Sequence, residues 1–316
     1  MPKTIARKMA AKCSVLHRVT LTAGELTLAV DESTTKSCVP PSVIKEIMKL
    51  PGAAEAVASC PVNDDKCLMQ AMHDNFRGNP TKQAELAREM IRWFGMDGPT
   101  DALTWLSDKD ISNIAEQVVV TFGGESGNDV AYLGVVMYDF AINPRTCPET
   151  AKPSTIAAGF AEKHWKHAFI VLNTDLSGSG GKHWCLMGID AERDETPASK
   201  VRFYMRFYDP TGRAPSHGEM QCGTARPYEC KNIDISDFYS GVEVALRGKF
   251  GDMFGSFKVE EFTGRLQHRE DSSNCGVATC LFMILIAKGY SFDEIQRIKT
   301  EPDLLANFKQ ELFVRA

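Results

Sequence analysis

No stretch of this chain is both long and apolar enough to cross a bilayer as a helix. Its most apolar run, Val277 to Ala287, has eleven residues before Lys288 ends it, against the roughly 20 that a spanning helix needs. Positive charge is not in excess: 36 Lys and Arg stand against 41 Asp and Glu, a net -5, which argues against nucleic acid as the main partner. No internal repeat or low-complexity tract appears. The ten cysteines contain no C-x-x-C pair, and no signal-peptide pattern precedes them. Free thiols in a reducing compartment are therefore the expectation. Cys60 with Cys67, and Cys222 with Cys230, are poorly spaced as zinc half-sites and have no histidine pair beside them. No metal and no cofactor is expected.

What is present suits an ordinary folded protein. The chain is 43% apolar and 24% charged over 316 residues, enough for one large domain or two modest ones. Lys3, Arg7, Lys8, Lys12 and Arg18 make a basic start with no acid before Glu25. It reads as a solvated arm, with weak contact to a polyanion or a transit peptide as the alternatives. Thr20 to Val30 reads as a strand or a hairpin around Ala23-Gly24. Helical patterns follow after Pro40-Pro41-Ser42, over Ala53–Ser59, over Asp64–His73 and over Thr81–Phe94, before Gly95 and Asp97-Gly98-Pro99 break the run. A boundary there predicts a mainly helical N-terminal domain, 1–98, and a second domain, 99–316.

The second part begins with a helix signal. Ser107 and Asp110 form a capping-box pattern, with Ile111, Ile114, Ala115 and Val118 as the buried face. Gly123 to Asn128 has loop composition. Strand patterns then dominate: Ala131–Tyr138, His167–Leu172, His183–Asp190 and Val201–Tyr208, with a helix over Ile233–Leu246 and a strand over Lys258–Phe262. Strands mixed with helices, without strict alternation, predict an α+β fold.

The chemistry converges on Cys275. Ser272, Ser273 and Asn274 are good N-cap residues, so a buried helix should start at Cys275 and place its sulfur at the positive end of the helix dipole, where a thiolate is favoured. The strands His183–Asp190 and Val201–Tyr208, joined by a polar loop, read as an antiparallel hairpin. A register pairing Ile189 with Phe203 also pairs His183 with Asp209, close enough for the carboxylate to orient the imidazole. A thiolate, a histidine base and an orienting aspartate make an acyl-transfer centre. Gln267 is the nearby amide for an oxyanion hole. Cys185 lies on the same strand face as His183 but too near in sequence for attack geometry. His164, His167, His217 and His268 have no acid at a readable register. Asp209-Pro210-Thr211-Gly212 is also a good turn sequence, which alone would explain Asp209.

His183-Trp184, Phe207-Tyr208-Asp209-Pro210-Thr211-Gly212 and Asn274-Cys275-Gly276-Val277, in that order, resemble the adenovirus-protease and ubiquitin-like-protease clan of cysteine peptidases. Val171 to Asp175, Gln267-His268-Arg269 and the terminus Glu311 to Ala316 extend the likeness to the polyprotein-processing proteases of large DNA viruses, that of African swine fever virus among them. The resemblance covers residues 100 to 316 and is thin before that. It implies a papain-like core of the ubiquitin-like-protease type: a central mixed sheet flanked by helices, with the catalytic Cys at the start of a buried helix. It also implies a metal-independent endopeptidase, acting on structural polyproteins at Gly-Gly-Xaa sites during virion maturation, in host-cell assembly sites and in the virion. Cys275, His183 and Asp209 would be catalytic. Trp105 and Trp184 match the tryptophans that clamp substrate glycines in the ubiquitin-like branch, although both could be core residues. Gln267 departs from the pattern, lying eight residues before the cysteine instead of six or seven. The alternatives are a protease that removes a ubiquitin-like modifier and a binding module that keeps the fold without the chemistry.

Overall fold

The computed structural model describes residues 16, 19–28, 48–49, 53–60, 67, 96–99, 101, 103–123, 129–141, 146–175, 177, 181, 183–193, 200–213, 235–268, 271, 273–299 and 301–315. The helices expected after Pro40 and over 64–73 and 81–94, and the loop after Gly123, lie outside them apart from isolated positions. In chain order the elements are β1 (Val19–Thr22), β2 (Glu25–Leu28), α1 (Ala53–Ala58), β3 (Met96–Gly98), α2 (Asp108–Phe122), β4 (Val130–Met137), α3 (Pro153–Glu162), β5 (His167–Asn173), β6 (Trp184–Arg193), β7 (Val201–Tyr208), α4 (Ser236–Phe250), β8 (Phe254–Glu261), α5 (Cys275–Ala287), α6 (Phe292–Gln296), α7 (Leu304–Leu312) and β9 (Phe313–Arg315). Among the described residues, no helix is long and apolar enough to cross a membrane.

A five-stranded mixed sheet, β4-β5-β6-β7-β8, organises the chain. Its middle pairs, β5–β6 and β6–β7, are antiparallel, and β4 and β8 join the edges in parallel. β6 is buried from Trp184 through Asp190, as a central strand covered on both faces must be. Leu186, Tyr208, Phe169 and Val171 face one core with α5 and α2, while Met187, Ile189, Phe203 and Met205 face a second core with α3 and α4. Every residue of α5 from Cys275 to Ile286 is buried, so this helix has no polar face. The α+β class and the helix-flanked mixed sheet match the sequence reading.

Local signals place most elements. Ser107 Oγ accepts from the Asp110 N–H at 3.2 Å, and Asp110 Oδ2 accepts from the Ser107 N–H at 2.8 Å, closing the capping box at the start of α2; such caps contribute about 1 kcal/mol. Ala23 and Gly24 both have positive φ, 52° and 84°, the pattern of a tight two-residue hairpin turn. A Cβ on Gly24 would sit 2.4 Å from the Arg297 carbonyl oxygen. The β1–β2 hairpin does not stand apart from the rest. Val19 and Leu21 belong to the core under α5, the Leu21 N–H donates to the Tyr290 hydroxyl, and the Lys299 N–H donates to the Gly24 carbonyl. β3 pairs with β9 in parallel, tying residues 96–98 to the C-terminal strand.

Three expectations need correction. Cys60 and Cys67 form a disulfide, although all cysteines were expected free; their separation carries no recognisable motif, so only proximity in space reveals the pair. Cys147, Cys185, Cys275 and Cys280 are free thiols. The β6–β7 register pairs Ile189 with Met205 and Asp190 with Tyr204, two residues away from the expected pairing of Ile189 with Phe203. A two-residue slip leaves every side chain on its expected face, so apolar alternation is blind to it. Finally, His167 does have an acid at register: it pairs directly with Asp190 across β5–β6, Nδ1 to Oδ1 at 2.7 Å. Arg206 donates to the other oxygen of Asp190 at 2.6 Å and to Glu260 at 2.8 Å. This is an ion network on the half of the sheet beyond the C-terminal end of α5.

Candidate active site

Two strand ends and one helix start build the site. His183 immediately precedes β6, Asp209 immediately follows β7, and Cys275 is the first residue of α5. Continuing the observed register by one step puts Cys185, not His183, opposite Asp209. The carboxylate nonetheless reaches diagonally to the imidazole, with His183 Nε2 and Asp209 Oδ1 at 2.9 Å. The turn reading of Asp209 also holds. Its Oδ1 accepts from the Thr211 N–H and hydroxyl, both at 2.7 Å, and its carbonyl accepts from the Gly212 N–H at 2.9 Å. The same side chain folds the turn and holds the ring.

The thiols of Cys185 and Cys275 both act on the His183 ring, each favouring its protonated form. Donor atoms of His183, Cys185 and Asp209 all lie within 4.8 Å of one another. Burial holds the Cys185 thiol up at about 12, with the charge of Asp209 adding to the shift and His183 opposing it. Burial pulls His183 down, but the charge of Cys185, the Asp209 hydrogen bond and the thiol contacts outweigh it, and the imidazole is raised above its ordinary value. With Cys185 kept neutral by burial, Asp209 is the partner that carries this shift at neutral pH. Burial raises Asp209, yet the hydrogen bond and charge of His183 and the Thr211 donors hold it below the usual carboxylate value. With Nε2 held by the carboxylate, Nδ1 is the ring nitrogen left to exchange a proton.

The segment before α5 is tied from several sides. Asp271 accepts from the backbone N–H groups of Ser273 and Asn274 at 3.0 and 3.1 Å and from the Asn274 amide at 3.1 Å. Asn274 is the N-cap, but its side chain makes no capping bond. Gln267 is buried, and its Nε2 donates to the Asp271 carbonyl at 2.7 Å. One of its two amide N–H groups is thereby engaged. The backbone N–H groups of Leu266 and Gln267 both donate to the Pro210 carbonyl at 2.9 Å, which docks this loop on the turn carrying Asp209. Gly212 allows the approach, since a Cβ there would meet the Gly264 carbonyl oxygen at 2.2 Å.

The two tryptophans are placed differently. Trp184 is buried and its indole N–H donates to the Leu106 carbonyl at 3.1 Å, while its own carbonyl accepts from Thr279. Trp105, one residue before Leu106, is 42% exposed. A Cβ on Gly276 would meet Leu106 Cβ at 3.1 Å and Trp184 Cδ1 at 3.2 Å, so the segment bearing Trp105 rests against the residue that follows Cys275. The closeness of Cys185 to Asp209 escaped the sequence reading; strand alternation put Cys185 on the correct face, but only the register reveals its neighbour.

The backbone has a counterpart among solved structures. The crystal structure of the African swine fever virus pS273R protease superposes over 96% of this chain and 100% of its own, with TM-score 0.57 at 15% identity. This chain shares the fold of that protease. A selenomethionine form of the viral protease gives 0.52 over the same shares at 15% identity. The Ulp1-like SUMO protease catalytic domain of Chaetomium thermophilum matches 71% of this chain and 76% of its own, at 13% identity and TM-score 0.40. No protein-family profile and no curated protein matches the sequence. The fold is shared with a protease, and at this site a cysteine, a histidine and an aspartate come together.

Proposed function

We propose that the chain is a cysteine endopeptidase in which Cys275 is the nucleophile, His183 the base and acid, and Asp209 the residue that orients the imidazole. The observation that carries this reading is the His183 ring, fastened to Asp209 on one side and electrostatically coupled to the thiol that starts a buried helix. Cys185 is the poorer nucleophile, being held as a neutral thiol. In the reaction, His183 holds the proton taken from Cys275, and the resulting thiolate attacks the scissile carbonyl carbon. The resulting oxyanion is met by the Cys275 backbone N–H and the remaining amide N–H of Gln267. His183 then protonates the leaving amine, and water activated by the same ring hydrolyses the thioester.

Cys275 is only 1% exposed, so a substrate has to present a chain with little side-chain bulk at the cut. That favours Gly-Gly-Xaa sites, with Trp105 covering the glycines from the surface and Trp184 supporting it from below. The polyprotein substrate and the setting, at host-cell assembly sites and in the virion, are carried over from the motif resemblance. Residues 1–98 serve as a partner-positioning part through the basic arm, while the hairpin 19–28 is built into the catalytic core. Charge reversal at Lys3, Arg7 and Lys8 should slow polyprotein processing and spare short-peptide cleavage; equal effects on both would remove that role.

The deciding experiment is cleavage of a short Gly-Gly-Xaa peptide by purified variants. Cys275→Ala and His183→Ala should each abolish turnover with the fold preserved by circular dichroism, and a thiol-directed peptide electrophile should modify Cys275. Normal cleavage by Cys275→Ala, with loss in Cys185→Ala, would transfer the nucleophile's role to Cys185.

A further inference from the structure

The reaction described above has no use for the Cys185 thiol, although it lies beside the groups that matter most. It sits two residues beyond His183 on the same strand face and opposite Asp209. The donor atoms of these three side chains are mutually within 4.8 Å. Tetrahedral donors held at about 2.3 Å for sulfur and about 2.0–2.2 Å for nitrogen and oxygen stand roughly 3.5 Å apart, inside that limit. A thiolate, an imidazole and a carboxylate form a zinc-type set, too soft for magnesium or calcium. Cys185 and Asp209 are buried, 0% and 3% exposed, so the site is walled by protein. Asp209 Oδ1 is engaged by Thr211 and His183, and its second oxygen can face a metal.

We propose that His183, Cys185 and Asp209 form a zinc site that switches the catalytic centre off. The proposal rests on the reading of His183 as the catalytic base. Zinc is an inhibitor here and takes no part in turnover. Binding displaces the Cys185 thiol proton and, from the protonated His183 ring, the Nε2 proton shared with Asp209; both go to solvent, the ring keeps its Nδ1 proton, and three ligands leave a fourth position for water. His183 is then coordinated and can no longer cycle a proton with Cys275. Removing the metal with a chelator restores the base.

The test uses the full chain with its Cys60–Cys67 disulfide intact, with Zn2+ titrated against a chromophoric chelator and Co2+ as the spectroscopic stand-in. The Cys275→Ala variant should bind one Zn2+ as tightly as the unmodified protein. Its Co2+ form should show thiolate-to-cobalt charge transfer and intense tetrahedral d–d bands. Cys185→Ser and Cys185→Ala should weaken binding by roughly 100-fold or more, since even supporting residues around a metal are worth 10–100-fold. Cys280→Ser, removing another buried thiol, should leave affinity unchanged. In the unmodified enzyme, Zn2+ should block peptide cleavage reversibly, and whatever cleavage Cys185→Ser retains should need correspondingly more Zn2+. Unchanged affinity in both Cys185 variants would place the metal elsewhere and end the proposal. So would absence of the thiolate band in Cys275→Ala, a result obtained without altering Cys185. Metal binding is read without turnover, so failure of the protease assignment and failure of the zinc site give different results.

Discussion

Asp209 lies across from Cys185 in the sheet and still grips His183, Nε2 to Oδ1 at 2.9 Å. This diagonal contact sets the acid–base behaviour of the centre. Asp209 is held below its ordinary value and His183 above its own. For a depressed carboxylate, the stabilisation is full above the unfolded value of about 3.9 and is lost as pH falls through the folded one. For a raised histidine, it is full below the unfolded value of about 6.5 and is lost as pH rises through the folded one. The pair therefore stabilises most between about pH 4 and 6.5. Asp209→Asn should cost about 1.5–3 kcal/mol there, the worth of a hydrogen bond to a charged group, and less at high pH. Chemical denaturation at pH 5.5 and pH 10 checks this; a penalty independent of pH would mean that the pair is not ionised. On the proposed reading, in which Asp209 orients the ring and transfers no proton, turnover should fall steeply without vanishing.

Gly276 carries no side chain where Leu106, Trp184 and Ile111 converge, the nearest atoms lying 3.1 to 3.3 Å from a Cβ placed there. Gly276→Ala gains helix propensity but overpacks this junction, for a net cost of about 1–3 kcal/mol. It should also push away the segment bearing Trp105 and raise KM for a Gly-Gly-Xaa peptide. A variant as stable and as tight-binding as the parent would show that the junction yields freely.

Lys309 of α7 is fully buried and donates to the Asp101 carbonyl at 2.5 Å and to the Thr104 carbonyl, clamping the segment that leads to Trp105. Burial depresses its ammonium, while the charges of Asp101, Asp271 and Asp110 oppose the shift. A lysine lowered on folding disfavours the folded state at neutral pH, and stability is recovered as pH rises through the folded value. Lys309→Met leaves two carbonyls without their donor, at about 1–3 kcal/mol each where water cannot reach them. The expected signature is a raised KM with kcat nearly unchanged. A drop confined to kcat would detach Lys309 from substrate positioning.

Gln267 is held by its own amide on Asp271 and by its backbone on Pro210. If its second N–H meets the oxyanion, Gln267→Ala lowers kcat by about two to three orders with little change in KM, as loss of such a donor does elsewhere. Steady-state kinetics on one peptide decide it. A near-normal kcat would leave the oxyanion to backbone donors.

Much of this arrangement is written in local sequence. Ser107 and Asp110 announce α2, Ala23-Gly24 announces the β1–β2 turn, and Asn274-Cys275 before an uninterrupted apolar run announces α5. These are short-range effects, decided by capping bonds, φ preferences and burial of one stretch, so a few neighbouring residues suffice to read them. Helices α3, α6 and α7 went unread, although the capping box at Ser291 and Glu294 was a legible signal for α6.

Tertiary structure decided what depends on distance across the chain. Strand alternation assigned His183, Cys185 and Asp209 to one face, but a side-chain period of two cannot separate registers that differ by two. Packing therefore chose which residue stands opposite Asp209, and so brought a second cysteine to the histidine. The Cys60–Cys67 bond, the His167–Asp190 pair and the Lys309 clamp have the same origin. Each joins residues whose local sequence has no preference for the partner, and the contact exists only because the folded core brings both ends together.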